Sequence, residues 1–167
     1  MDMLICAACA RPLTEAVRLL DTVPERPGYD GLPGPDGRRR PPATMPRARY
    51  AVEPEHRGAP FVACEDEDAY DGTYPGGPWR SDERGLLVSA GLRGQYVLHP
   101  DDVLPLGFHP EIRRLVGCCG PAGDDGVNRV CACGAEVATA YADCCGPYET
   151  LFVPDAVRVV PAPEAPA

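Results

Sequence analysis

The sequence predicts a small, mostly-β (α+β), irregular domain with short helices and a small apolar core. The 167 residues include 18 Gly and 21 Pro, and such a composition divides regular structure into short pieces. The chain also carries nine Cys, and small cores are often reinforced by disulfides or bound metal. Short runs such as residues 137–141, where Val, Thr and Tyr alternate with Ala, are typical of strands. We expect a single domain over residues 1–167.

The predicted elements follow from local signals. Thr14 is placed to cap a short helix over residues 15–20. Residues 86–89 and 95–99 predict a β-hairpin, and Pro110 is placed to open a helical turn that ends at Val116. Further strands are predicted over residues 50–63 (two, with 61–63 the clearer), 137–141, 149–153 and 155–160.

Two segments are expected to lack regular structure. Residues 21–49 hold seven Pro, four Gly and six Arg, which predicts a flexible loop. The basic cluster Arg38–Arg40 is interpreted as a solvated part of this loop rather than a docking patch for an acidic partner. The tail, residues 161–167, is expected to fray.

A first cysteine pair lies near the N-terminus. Cys6 and Cys9 are separated by two residues, and this spacing suits a tight turn that supplies two corners of a tetrahedral zinc site. A thioredoxin-like redox pair is the alternative, but it requires a preceding strand and a helix that opens at the motif. Residues 6–13 resemble the knuckle of zinc-ribbon domains. The resemblance implies a zinc-ribbon-like fold that metal holds together.

Six further cysteines lie between residues 118 and 145. Cys131-Ala-Cys133-Gly134 resembles the second half of a zinc ribbon, so the first-choice metal site is Cys6, Cys9, Cys131 and Cys133. A second choice combines Cys118 or Cys119 with Cys131, Cys133 and Cys144. Two zinc ions that share eight cysteines and leave Cys64 over are a third possibility. Adjacent cysteines rarely bind one tetrahedral ion together, so one member of Cys118/Cys119 and one of Cys144/Cys145 is expected to be a bystander.

Zinc is the expected cofactor. An iron–sulfur cluster also uses four thiolates, but none of the usual ferredoxin spacings is present. A catalytic zinc ion needs an open position and usually a His or carboxylate ligand, and the candidates for such a hydrolase are His99 or His109 with Asp101 or Asp102. None of the histidines has the spacing of a paired zinc motif.

The pattern GCCG…CACGAEVAT…DC over residues 117–144 is similar to that of uncharacterised actinobacterial cysteine-rich proteins. All sixteen basic residues are Arg and none is Lys. This usage is typical of a high-GC bacterial genome, such as that of an actinobacterium.

The formal charge of −9 disfavours nucleic-acid binding, which relies on Lys and Arg contacts to phosphates. A neutral or basic protein partner is a better electrostatic match. The sequence has neither a long apolar span nor a basic leader, so we expect a cytoplasmic protein without membrane contact. The leading hypothesis is a non-enzymatic zinc protein that supports protein–protein interaction. A cysteine-based redox or metal sensor, or a metal-handling protein, is the first alternative, and a zinc-dependent hydrolase is the second.

Overall fold

The regular structure of the chain is mostly β-strand, as predicted. The structure is a computed structural model that describes residues 1–66, 68 and 70–163. Helices in this part of the chain are 3-10 turns of three or four residues: Pro100–Asp102, Ile112–Leu115 and Pro154–Ala156. None of the helices described is long and apolar enough to cross a membrane.

The strands form three sheets. One sheet has two strands, β1 (Asp2–Cys6) and β12 (Val157–Pro161), which pair antiparallel and so join the two ends of the chain. A second sheet places β6 (Gly85–Ser89) between β4 (Phe61–Ala63) and β5 (Trp79–Asp82). The third and largest sheet contains, in spatial order, β2 (Arg18–Leu19), β3 (Arg49–Val52), β7 (Tyr96–Leu98), β11 (Glu149–Phe152), β10 (Glu136–Tyr141), β9 (Arg129–Val130) and β8 (Gly107–Phe108).

The main apolar core lies between the large sheet and the paired ends of the chain. Leu4 of β1, Leu98 of β7 and Phe152 of β11 are fully buried in it. Cys6 and Cys131 belong to the same buried cluster. Two cysteines from opposite ends of the chain are therefore fixed by the packing of the core itself.

The hairpin predicted over residues 86–99 is wrong, although both of its strands exist. β6 pairs with β4 and β5, whereas β7 pairs with β3 and β11. The connecting residues pack on a distant segment instead of forming a tight turn. Gln95 Nε2 donates to the carbonyl oxygen of Arg57 at 3.0 Å, and Gly91 lies against the backbone of Arg57 and Gly58.

The helix predicted over residues 15–20 is also wrong. Thr14 does not cap a helix, because its Oγ1 accepts a hydrogen bond from the N–H of Leu4 at 3.0 Å. Val17 bridges Asp2, and Arg18–Leu19 form β2 beside β3. A six-residue helix has few internal hydrogen bonds, and pairing with β1 and β3 satisfies the backbone of this segment instead. The strands predicted at 61–63, 137–141, 149–153 and 155–160 are present within two residues of their predicted bounds.

The long segment between β2 and β3 is held to the sheet at defined points. Ala43 forms an isolated bridge with Tyr148, and Arg26 Nε donates to Glu149 Oε1 at 3.0 Å. At the C-terminal end, Pro161 of β12 pairs with Asp2. The last four residues of the tail expected to fray, 164–167, lie outside the described residues.

Candidate metal centre

The first cysteine pair lies in a turn at the end of β1. The N–H of Cys6 donates to the carbonyl oxygen of Arg11, and the N–H of Ala10 donates to that of Cys6, both at 2.9 Å. Ala10 has a φ of 58°, a left-handed conformation that L-residues rarely adopt. This conformation turns the chain back toward residues 12–17, which bridge to β1.

The second pair lies in the turn between β9 and β10 and has a similar hydrogen-bond pattern in a turn one residue shorter. The N–H of Cys131 donates to the carbonyl oxygen of Ala135, and the N–H of Gly134 donates to that of Cys131, both at 2.8 Å. Gly134 has a φ of 89°, a conformation open to glycine because it lacks a Cβ. In both turns a left-handed residue directly follows the second cysteine, so the two turns form matching knuckles.

The two knuckles bring four sulfurs together. The Sγ atoms of Cys6, Cys9, Cys131 and Cys133 all lie within 4.8 Å of one another. Cys6 Sγ is 3.7 Å from Cys133 Sγ, and Cys9 Sγ is 3.6 Å from Cys131 Sγ. A zinc ion with four sulfurs at about 2.3 Å gives a tetrahedron with edges of about 3.8 Å, whereas a disulfide needs about 2.05 Å. The spacing fits four ligands of one ion and no disulfide.

Each knuckle supplies one buried and one exposed cysteine. Cys6 and Cys131 are buried, and Cys9 and Cys133 are exposed. Burial raises the pKa of Cys131 to about 12, since an apolar site disfavours the thiolate. A hydrogen bond from the N–H of Ala135 is the main cause that lowers the pKa of Cys133 to about 7. A bound cation would favour the thiolate of both residues.

Three of the remaining cysteines form a second group. Cys118, Cys119 and Cys144 have Sγ atoms within 4.8 Å of one another, and Cys145 joins Cys144 and Asp143 in an overlapping set. The second-choice site is therefore not assembled, since Cys131 and Cys133 lie with the N-terminal pair. Cys64 stands apart, and its Sγ donates to the carbonyl oxygen of Asp66 at 3.1 Å.

The structure groups the members of the two adjacent cysteine pairs differently. Cys118 and Cys119 belong to one possible ligand group together with Cys144. Cys145, by contrast, falls outside the group that contains Cys144 and the 118–119 pair. The expectation that each adjacent pair contains one bystander stays a prediction.

The histidines considered for a hydrolase have other contacts. His99 Nδ1 accepts from the N–H of Asp101 at 3.0 Å, and His109 Nε2 lies 2.9 Å from Glu136 Oε1. Asp102 accepts from Arg47 Nε and from the N–H of Ala48, both at 2.6 Å. The possible ligand groups in the described residues contain no histidine.

No role was predicted for Asp143, whose carboxylate holds the loops of the second cysteine group together. Its Oδ2 accepts from the N–H of Cys118, and its Oδ1 accepts from the N–H of Cys145 at 2.8 Å. An Asp side chain that accepts a hydrogen bond from the N–H two residues later is a known turn signal, so the contact with Cys145 could have been predicted. The link to Cys118, across 25 residues, had no local signal.

A buried charge cluster was also missed. Glu149 is fully buried, and its Oε1 lies 3.0 Å from Arg26 and 3.7 Å from Arg57 Nη2. Glu53 accepts from Arg26 Nη2 at 2.7 Å. Within the described residues, Nε and Nη2 of Arg57 are buried without a hydrogen-bond partner. These ion pairs connect the long segment between β2 and β3 with the end of β3 and with β11.

Comparisons with protein-family models, with curated proteins and with solved structures give no match.

Proposed function

We propose that the chain is a non-enzymatic zinc protein whose metal centre is structural. Zinc would be held by Cys6, Cys9, Cys131 and Cys133, joining the N-terminal turn to the β9–β10 turn. The observation that supports this most directly is the sulfur spacing of 3.6–3.7 Å between the two knuckles. The ion would connect segments separated by more than 120 residues, next to the core that both segments share.

The ligand set favours a structural ion over a catalytic one. Structural zinc sites are closed by four protein ligands, whereas catalytic sites keep one position for water or substrate. Four thiolates fill all four positions. Two of the four cysteines, Cys6 and Cys131, are buried in the core. Core packing restricts the positions of these two side chains and so favours a single ligand geometry.

Replacement of zinc by Co²⁺ tests this proposal. A closed site of four thiolates predicts the intense visible bands of tetrahedral Co²⁺ and sulfur-to-metal charge-transfer bands that added azide or cyanide leaves unchanged at modest concentration. Spectra that shift on addition of these anions would show an open coordination position and contradict a structural role. Cys64→Ser is the matched control, because Cys64 lies outside the metal groups.

We also propose that the metal-held domain binds a neutral or basic protein. The net charge of −9 favours such a partner. Phe108, Ile112 and Val116 are large apolar side chains with exposures of 68%, 76% and 62%, and exposed apolar groups are common in interfaces. A photo-cross-linking residue at position 108 should capture one defined partner in cells, and the same residue at exposed Val62 should not. Equal labelling from both positions would contradict partner binding through the exposed apolar side chain of Phe108.

A further inference from the structure

The second cysteine group is separate from the proposed structural site and differs from it in exposure. Cys118 and Cys119 are exposed, and Cys144 is half-buried. Their three Sγ atoms lie within 4.8 Å of one another. Three thiols that converge at the surface are accessible to an ion from solvent.

The loops that carry these thiols are fixed to each other. Both oxygens of the Asp143 carboxylate are engaged, one by the N–H of Cys118 and the other by the N–H of Cys145. Asp143 itself is 2% exposed. Because its oxygens already hold the two loops, Asp143 acts as a positioning residue and the sulfurs remain the available ligands.

The glycines that flank Cys118 and Cys119 let these loops approach closely. A Cβ at Gly117 would collide with the carbonyl oxygen of Gly120 and with Asp143 Oδ2, and a Cβ at Gly120 would collide with the carbonyl oxygen of Ala142. The N–H of Ala142 donates to the carbonyl oxygen of Pro121 at 2.9 Å. The cysteines are thus presented by a loop that packs backbone against backbone, which limits the rearrangement needed for ligation.

The group offers three ligands rather than four. Cys145 Sγ lies 3.7 Å from Cys144 Sγ, but in the described residues it does not join the set formed by Cys118, Cys119 and Cys144. Structural zinc is almost always four-coordinate. A site made only of soft thiolates suits Cu(I), and Cu(I) is stable with three sulfur ligands. We propose that Cys118, Cys119 and Cys144 form a second, solvent-accessible metal site that binds Cu(I) in three-coordinate thiolate geometry.

The surroundings provide charge that suits this site. Three thiolates and one Cu(I) ion carry a net charge of −2. A cavity of about 690 Å³ is lined by Cys119 and by Arg38, Arg39 and Arg40. Arg40 is held by Asp36 at 3.1 Å and by the Tyr148 hydroxyl at 3.0 Å. The basic cluster of the long loop therefore borders the same cavity as one of the three proposed ligands.

Anaerobic Cu(I) titration of the full-length protein, loaded with zinc beforehand, tests the proposal. A chromogenic Cu(I) chelator competes for the ion, and zinc release is measured in the same samples. We expect wild-type protein to withhold one equivalent of Cu(I) without releasing zinc. Cys118→Ser/Cys144→Ser should withhold at least tenfold less at the same chelator concentration, whereas Cys145→Ser and Cys64→Ser should behave as wild type. X-ray absorption at the copper edge should show sulfur ligation with a coordination number of three.

Three results would overturn the proposal. In the first, wild-type protein withholds no Cu(I). In the second, the Cys118→Ser/Cys144→Ser variant withholds as much as wild type while zinc is released, which would place the ion in the four-cysteine site. In the third, Cys145→Ser also loses binding, which would indicate a four-coordinate site. Near-wild-type far-UV circular dichroism of each variant establishes that lost binding is not lost folding. Because zinc retention by Cys9 and its partners is measured separately, failure of this site and failure of the structural site are distinguishable.

Discussion

Substitution of Cys9 by Ser should remove the zinc-dependent part of the stability while leaving the apolar core intact. Cys9 is exposed, whereas Cys6, another ligand of the proposed zinc site, is fully buried in the core. Cys9→Ser therefore removes a ligand without creating a cavity, and Cys6→Ser would confound the two effects. Cys64→Ser is the matched control, since Cys64 is partly exposed and lies outside the metal groups.

The magnitude follows from linkage between zinc binding and folding. The four ligands come from segments 122 and 127 residues apart, so an unfolded chain does not hold the site together, and zinc binds almost only to the folded state. At free zinc about 1,000-fold above the dissociation constant, the folded state gains about 4 kcal/mol. For a chain of this size, 1 kcal/mol corresponds to roughly 2–4 °C in Tm. Wild-type protein should therefore melt about 8–16 °C higher with zinc than with a strong chelator.

The assay is thermal unfolding by circular dichroism in reducing buffer, with zinc buffered at a fixed free concentration or removed by chelator. Cys9→Ser should lose most of the zinc-dependent shift in Tm, and Cys64→Ser should retain it. Zinc-linked stability at this site would be contradicted if both variants kept the full zinc-dependent shift in Tm. It would also be contradicted if wild-type protein melted at the same temperature with and without chelator.

Other predictions concern the knuckles, the buried charges and His99. Gly134→Ala should lower the free energy of unfolding by about 1–2 kcal/mol through the left-handed φ alone, because nothing lies within 4 Å of the position of an added Cβ. Ala10→Gly should raise the free energy of unfolding by up to about 1 kcal/mol. Urea unfolding of the zinc-loaded variants measures both effects, and changes of the same sign for Gly134→Ala and Ala10→Gly would contradict the shared left-handed geometry. Glu149→Gln should cost about 3–5 kcal/mol, since it leaves the buried Arg57 guanidinium without its counter-charge. Glu55→Gln at an exposed pair should cost less than about 1 kcal/mol, and equal losses would refute the role of burial. Burial lowers the pKa of His99 although Asp101 and Asp102 act to raise it, so folding favours the neutral ring. Because the unfolded chain then binds the proton more readily, the stability that His99 contributes declines as the pH falls below the unfolded pKa of about 6.5. An NMR titration of the His99 ring that gives a pKa above 6.5 would contradict this.

The four-cysteine site could be predicted because its signal is local. Each pair is close in sequence, and a Pro or Gly follows each pair within three residues, so each knuckle forms from its own hydrogen bonds. The second group could not be assigned in the same way, since Cys144 reaches Cys118 through a contact of Asp143 that spans 25 residues.

Strand positions were more predictable than strand pairing. The run Phe61–Ala63 matches β4 because alternation and β-branched residues are local properties. The partners of β7 depend instead on which distant strands pack beside it. Val97 and Leu98 point to opposite faces of the sheet, and both are fully buried, in two different core clusters. The helix expected at 15–20 failed for the same reason, as contacts of Thr14 and Val17 with β1 outweigh a weak local preference.

Zinc analysis combined with thiol protection tests the central proposal most directly. Protein purified under reducing conditions would be alkylated in its folded state, and the modified cysteines identified by mass spectrometry. We expect one zinc ion per chain, with Cys6, Cys9, Cys131 and Cys133 protected from alkylation. All four should become reactive together when a strong chelator removes the ion. Protein without zinc, in which exposed Cys9 and Cys133 react as fast as Cys64, would contradict it.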